Sequence, residues 1–262
     1  MLRLLIISTI WMSMLLAAGW GFPASASATV TFVDECYPDR TVKAEGTWDG
    51  RSRVGCWRHY DPQGRLRAIG EYRNGQRAGE WTSYFANGAV REAGAYDGDH
   101  RTGRWMRFNR QGVLIALGHY ERGIRHGYWK FHYDNGQMMS EGWYQHGQKF
   151  DHWKEYSREG RLISRGEYRA NRLHGYWKGY AEDGRLREEG NYYLGERNDW
   201  WKQYEHGRLV FEGQYAQGLK NGYARHYQAG RLRKEGRYKL GMKSGSWKYY
   251  AANGHLRDII TY

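Results

Sequence analysis

Proline is nearly missing from this sequence, at 3 of 262 residues, and cysteine occurs only at Cys36 and Cys56. Glycine is plentiful at 36, but it recurs in register, so its positions read as turns and glycine-rich disorder is excluded. No G-x-x-x-x-G-K-S/T, G-x-S-x-G, H-E-x-x-H or paired C-x-x-C occurs. That removes the phosphate-cradling loop, the serine-nucleophile elbow and the common zinc sites. Beyond the N-terminus no uninterrupted run suits a stable amphipathic helix, because glycine falls every few residues among many aromatics. Phenylalanine (7) is outnumbered by tyrosine (23) and tryptophan (13), side chains with an apolar body and a polar tip.

What is present is a period. Glycine, any residue, tryptophan returns with its third slot at Trp57, Trp81, Trp105, Trp129, Trp153, Trp177, Trp201, Ala224 and Trp247, 24 residues apart six times and then 23 apart twice. Such regularity marks a repeat protein. Repeats opening at Gly55, Gly79, Gly103, Gly127, Asp151, Gly175, Asp199, Gly222 and Gly245 align as nine copies over residues 55–262, with 29–54 as an N-terminal cap and half-repeat. Three residues past the tryptophan slot comes a second aromatic slot, such as Tyr60 or Tyr156, and then a turn ending in glycine, such as Gly64 or Gly136. An apolar slot follows (Leu66, Val90, Leu114), then a second glycine, then tyrosine in every copy: Tyr72, Tyr96, Tyr120, Tyr144, Tyr168, Tyr192, Tyr215, Tyr238 and Tyr262. A second turn, as at Asn74-Gly75, closes the repeat.

Two short strands and two turns per repeat predict an all-β fold: an elongated single-layer array of stacked antiparallel β-hairpins, each opening on the glycine before its tryptophan. Even spacing puts Leu66, Gly70 and Tyr72 on one strand face, and a turn pairing Tyr60 with Arg65 would set Trp57 opposite Ala68. The tryptophans and the tyrosines from Tyr72 to Tyr238 then form an aromatic spine. Ala224 marks its weakest point. The missing residue of the 23-residue copies falls just before Gly207 and Gly230, where a turn can shorten without slipping a strand.

Residues 1–28 have the order of a secretory signal peptide: Met1-Leu2-Arg3, an apolar run from Leu4 to Ala18, and small residues around Ala24-Ser25-Ala26-Ser27-Ala28. The run is short against the ~20 residues of a membrane span. Export to the periplasm or medium is therefore expected, with an uncleaved anchor as the alternative. In an oxidising compartment Cys36 and Cys56 are a candidate disulfide, stapling the N-terminal segment to the first repeat; two free buried thiols are the other reading.

The eleven histidines are scattered. His126 and His174 share a slot but lie two repeats apart, too far for one metal, so neither metal, catalytic residue, cofactor nor small-molecule substrate is expected. Glu45, Glu141, Glu189, Glu212 and Glu235 recur directly before the second glycine, as cross-strand partners for cations would. Basic residues are the more informative pattern at a net charge of +13. Arg58, Lys130, Lys154, Lys178, Lys202, Arg225 and Lys248 directly follow the tryptophan slot, and Arg65, Arg67, Arg185, Arg187, Arg231 and Arg233 flank the leucine. One reading is a solvated face with local Glu–Arg pairs. The other is a surface for an acidic or envelope-associated protein, or for an anionic membrane or glycan. Aromatics interleaved with cations also suit single-stranded nucleic acid, which export disfavours.

A stretch such as Gly166-Glu167-Tyr168, Gly175-Tyr176-Trp177-Lys178-Gly179-Tyr180 and Gly184-Arg185-Leu186 resembles the MORN repeat in its variant bacterial form, as in the YwqK-like antitoxin-component family. The resemblance covers about 55–262. It implies stacked hairpins and a non-enzymatic scaffold that binds proteins or membranes, with toxin neutralisation as a further implied role, one an exported chain departs from.

Overall fold

The computed structural model describes residues 29–262, so the signal-peptide expectation lies outside the described residues. It is all-β, with no helix among them. The described residues divide into two compact units, 29–113 with Tyr120–Gly123, and Leu114–His119 with Ile124–Tyr262. The first carries β1 (Thr31–Cys36), β2 (Val42–Trp48), β3 (Arg53–Tyr60), β4 (Leu66–Arg73), β5 (Gln76–Tyr84), β6 (Val90–Asp97) and β7 (His100–Phe108). Strand β8 (Leu114–Glu121) supplies residues to both. The second carries β9 (Ile124–His132), β10 (Met138–Gln145), β11 (Gln148–Tyr156), β12 (Leu162–Arg169), β13 (Arg172–Tyr180) and β14 (Leu186–Tyr193). It continues through β15 (Glu196–Glu205), β16 (Arg208–Ala216), β17 (Leu219–Gln228), β18 (Arg231–Lys239), β19 (Met242–Tyr250) and β20 (Leu256–Thr261). From β1 to β7, and again from β9 to β20, each strand pairs antiparallel with the next, giving stacked hairpins.

The turns follow from their residues. At Asp61–Gly64 the Gly64 N–H donates to the Asp61 carbonyl at 2.9 Å, and the Asp61 carboxylate accepts the N–H groups of Gln63 and Arg65 at 3.0 Å each. The other turn takes two successive left-handed residues, Asn74 at φ 51 and Gly75 at φ 79. That is the type I′ geometry, whose twist matches the flanking strands. In the 23-residue copies the first turn changes to this shorter form, with His206 and Gly207 at φ 49 and 76 and Ala229 and Gly230 at φ 51 and 75. The lost residue therefore costs no register, as the sequence indicates.

Bulges correct two expectations. Trp57 pairs with Gly70, not Ala68, because a bulge lets Tyr60 pair with Leu66 while His59 pairs with Ala68. Arg67 is the extra residue, so Leu66 stands beside Tyr60 and not in line with Gly70 and Tyr72. The glycine before each tryptophan does not open a hairpin either. Gly79 (φ 60) lies inside β5, where Ala78 pairs with Glu71 and Trp81 with Gly70, leaving two residues bulged out. Asp151 and Asp199 hold the same slot at φ 59 and 61, as aspartate tolerates this region.

The second glycine and the tryptophan explain each other. A Cβ on Gly70 would lie 2.1 Å from the Trp81 ring, and the other glycines of this slot with a tryptophan opposite meet rings at 2.1 to 2.6 Å. The indole lies flat on the bare backbone, and Trp81 Nε1 donates to the Glu71 carbonyl at 2.9 Å. Trp57, Trp105, Trp129, Trp153, Trp201 and Trp247 repeat the bond to the residue after their own glycine. In β20 Ile260 stands in this glycine slot, in register with Trp247.

The cysteines are free and exposed, so the expected bridge is not formed. Cys36 pairs with Val42 at one end of β2, and Cys56 sits on β3 beyond it. Strands β1 and β3 flank β2, which separates them by about 10 Å, outside the ~7 Å Cα limit for a disulfide.

Candidate functional site

On one face of each unit the rings form a ladder. Tyrosine edges meet tryptophan faces: Trp57–Tyr72, Tyr72–Trp81, Trp81–Tyr96, Tyr96–Trp105 and Trp105–Tyr120 in the first unit have centroids 5.1 to 6.0 Å apart. The second unit continues with Trp129–Tyr144, Tyr144–Trp153, Trp153–Tyr168, Trp177–Tyr192, Tyr192–Trp201, Trp201–Tyr215 and Tyr238–Trp247. Edge-to-face pairs of this kind add about 0.5–1.5 kcal/mol each beyond area burial.

A basic slot four residues before the tryptophan, which the sequence reading missed, lies over the ladder. Arg53, Arg77, Arg101, Arg125, Lys149, Arg197 and Lys243 each stack on a ring of the spine at 4.0 to 5.1 Å, and Lys220 stacks on Phe211 at 4.4 Å. The 24-residue period alone would have revealed it. Under this cover Trp57, Trp153, Trp201 and Trp247 are at most 1% exposed, so the ladder is a core and not a platform for ligand stacking.

Two positions depart. Ala224 is not a weak point: Phe211, 3% exposed, fills the space and packs with Trp201, Tyr215 and Ala224. Trp177 is only half-buried and turns its ring over Gly179, where a Cβ would lie 2.3 Å away. Its cationic cover is missing as well, since the slot holds Leu173.

The opposite face of the second unit brings the tryptophan-following cations and the glutamates into one register row. Lys130 pairs with Glu141, Glu141 with Lys154, Lys154 with Arg165, Arg165 with Lys178, and Lys178 with Glu189. The row goes on through Lys202, Glu212, Arg225, Glu235 and Lys248. Ion pairs join Lys154 to Glu141 (3.8 Å), Lys178 to Glu189 (3.2 Å) and Arg225 to both Glu212 (3.3 Å) and Glu235 (3.4 Å). In the first unit Arg58 meets Glu45 at 3.4 Å, and there the charges end. The leucine-flanking arginines stay out of the row: Arg65 and Arg185 bind turn aspartates, Arg231 donates to the Ala252 carbonyl, and Arg67, Arg187 and Arg233 are bulge residues.

Tyrosines complete the row. The hydroxyls of Tyr176 and Tyr204 donate to Glu189 at 2.6 and 2.8 Å, and Tyr156, Tyr227 and Tyr250 donate to Glu141, Glu212 and Glu235. Burial opposes the charge of Glu189, but hydrogen bonds from Tyr176, Tyr204 and Lys178 outweigh it and hold the carboxyl below the usual range. Tyr176 in turn is pushed up to about 12 by burial and by that carboxylate. Ionised glutamates and neutral hydroxyls make this a face of fixed charges, suited to recognition rather than proton transfer.

Beside the charged row stands a second feature that sequence reasoning did not single out. Tyr128 (38% exposed), Trp143 (46%), Phe150 (43%), Tyr176 (46%) and Trp200 (38%) lie open to solvent. Trp143 pairs with Tyr128 on one side and Phe150 on the other, its ring 5.3 Å from that of Tyr128. Among the described residues no group of three or more His, Cys, Asp or Glu side chains is placed to hold a metal.

The sequence profile of the MORN repeat variant matches residues 53–74, 125–146, 173–192 and 243–262, so the chain carries MORN-variant repeats at four places in its array. MORN repeats are in general non-catalytic modules for protein or membrane interaction. No curated protein matches the chain. Among solved structures, a chain of the Photorhabdus luminescens Tc holotoxin pore is 12% identical over 88% of this chain and 15% of that one, with a TM-score of 0.21. TcdB2-TccC3 without its hypervariable C-terminal region is 14% identical over 88% of this chain and 15% of that one, also at 0.21. This chain thus spans about 15% of the length of the solved chains it matches, and scores so low leave fold and function to its own geometry.

Proposed function

We propose that the chain is an exported, non-enzymatic MORN-type scaffold that binds an acidic protein of a bacterial envelope through the charged and aromatic face of its second unit. The observation that carries this reading is the exposed set Tyr128, Trp143, Phe150, Tyr176 and Trp200 alongside a row of lysines and arginines. Tryptophan, tyrosine and arginine dominate the energetics of protein interfaces, and a soluble surface has little reason to keep five large rings open together. Apart from the half-buried Trp177, the spine tryptophans are not part of this surface, being buried under their own cations. Export rests on the signal-like order of the first residues, and N-terminal sequencing of the secreted chain tests it. Toxin neutralisation, the other role the resemblance implies, would call on the same face.

Binding of the mature chain to an envelope extract tests the reading. The expected result is a partner held at high salt by the unaltered chain and lost from the double variant Trp143→Ala, Trp200→Ala. A membrane or glycan surface would instead give binding that high salt abolishes, as the Debye length shrinks from about 8 Å at physiological ionic strength to about 3 Å at 1 M, and that the aromatic variant retains.

A further inference from the structure

At one place the charged row violates its own alternation. Every other position between two cations of the second unit holds glutamate: Glu141, Glu189, Glu212 and Glu235. Between Lys154 and Lys178 stands Arg165, in direct register with both. Like charges directly across neighbouring strands destabilise a sheet, so this arrangement works against the fold. Lys154 and Lys178 lean on outer carboxylates, Glu141 at 3.8 Å and Glu189 at 3.2 Å. Arg165 is exposed and has neither a hydrogen bond nor an ion pair among the described residues. The three cations line a depression of about 260 Å³ together with His152, Trp153, Gly166, Glu167 and Tyr176. Glu167 does not neutralise Arg165, because it faces the His152 ring at 3.6 Å.

From this geometry we infer that Lys154, Arg165 and Lys178 form a carboxylate seat for an extended acidic segment of the partner protein. The inference rests on the recognition face proposed above and names the point where its charge is read. Arg165 presents a free planar fork, which suits bidentate capture of a carboxylate. The three positions span about 10 Å across three strands, and acidic side chains on one face of an extended peptide recur about every 7 Å, so two fit within the seat. A line of cations with its ends already leaning outward on glutamates suits such a run better than one compact anion. Tyr176, in the lining of the depression, and Trp143, on the neighbouring β10, are exposed and can offer apolar contact.

The test uses a fluorescent ten-residue peptide alternating glutamate with serine, and the same peptide with glutamine for glutamate. The unaltered chain should bind only the first. Arg165→Glu restores the alternation, so it should fold at least as well while weakening that binding by about tenfold or more, the scale of losing a charge-assisted hydrogen bond. Arg172→Glu makes the same change in net charge at an exposed residue at the start of β13, outside the row, and should leave binding intact. Equal weakening by both variants, or no weakening by Arg165→Glu, overturns the seat. So does binding of inorganic phosphate or anionic lipid vesicles that depends on Arg165 while the peptide does not bind. If instead Trp143→Ala with Trp200→Ala loses the envelope partner and Arg165→Glu does not, the recognition face stands and the seat falls. A seat that binds peptide while the aromatic variant still holds the partner fails only the broader reading.

Discussion

Across the first unit one register line runs Glu45, Arg58, Ile69, Thr82, Ala93, Met106, and in the second the equivalent line runs Lys130, Glu141, Lys154, Arg165, Lys178, Glu189 and onward in charges. Behind both lines the ladder is the same, tryptophan on glycine with tyrosine between. Large exposed aromatics divide in the same way. Among the described residues the first unit shows Phe32, whereas the second shows Tyr128, Trp143, Phe150, Tyr176 and Trp200 among others. One face is held by a steric rule that few repeats break, as at Ala224, and the other varies from repeat to repeat. On the free face it is the second unit that carries the row of charges and most of the large exposed rings.

The comparison breaks if the spine is not a core in both units. Trp57→Ala in the first and Trp153→Ala in the second, each at most 1% exposed, should each cost about 3–5 kcal/mol in urea unfolding. Trp177→Ala should cost clearly less, because that ring is half-buried and makes no Nε1 bond among the described residues. Equal losses at Trp153 and Trp177 would remove the distinction drawn between them. Gly70→Ala in the first unit and Gly142→Ala in the second press a methyl into the ring opposite, at 2.1 and 2.4 Å, and should each cost about 1–3 kcal/mol as overpacking. Pairing Gly70→Ala with Trp81→Ala should cost less than the sum, since the clash goes with the ring.

Much of this was legible because it repeats. The period, the strand count, the turn that shortens before Gly207 and the face opposite Trp129 that holds Lys130 all follow from slots filled alike in copy after copy. What stayed hidden depends on backbone irregularity or on exceptions. Trp57 opposite Gly70 needs a bulge that no residue type announces, since Arg67 can occupy a bulge or a strand. The Arg53 slot was overlooked although its period is plain, because a cation reads as surface until a ring is seen beneath it. Arg165 is visible as a missing glutamate once the glutamates are known to pair with the cations on both sides.

A smaller effect of pH, of the same sign but different size, separates two histidines in one slot of the repeat. Burial and the neighbouring Lys234, Lys220 and Lys243 push His226 down to about 4. Burial and Arg53 also lower His59, but Glu35 there works against them. Between the ordinary histidine range near 6.5 and the lowered value, the unfolded chain takes up a proton that the folded chain refuses. Stability is therefore complete above pH 6.5 and is lost as pH falls toward 4. Unfolding midpoints measured through that window should slope down with acid, and His226→Phe should flatten the slope more than His59→Phe.

The smallest expected effect bears most directly on the two lines. Ala93 faces Thr82 and Met106 across its two neighbours, in the row where the second unit would place glutamate between cations. Ala93→Glu with Met106→Lys copies one Glu–Lys step of the second unit into the first. Both side chains are partly buried there, so either charge alone should be neutral or slightly destabilising. Together they should recover a coupling of about 0.2–1 kcal/mol in a double-mutant cycle, the usual worth of a cross-strand ion pair. If that coupling appears, the free face accepts charge in either unit, and the apolar line of the first is a choice of sequence rather than a demand of the fold. If the pair instead destabilises beyond the sum of its parts, the backbone of the first unit excludes the row, and the two faces differ in structure as well as in residues.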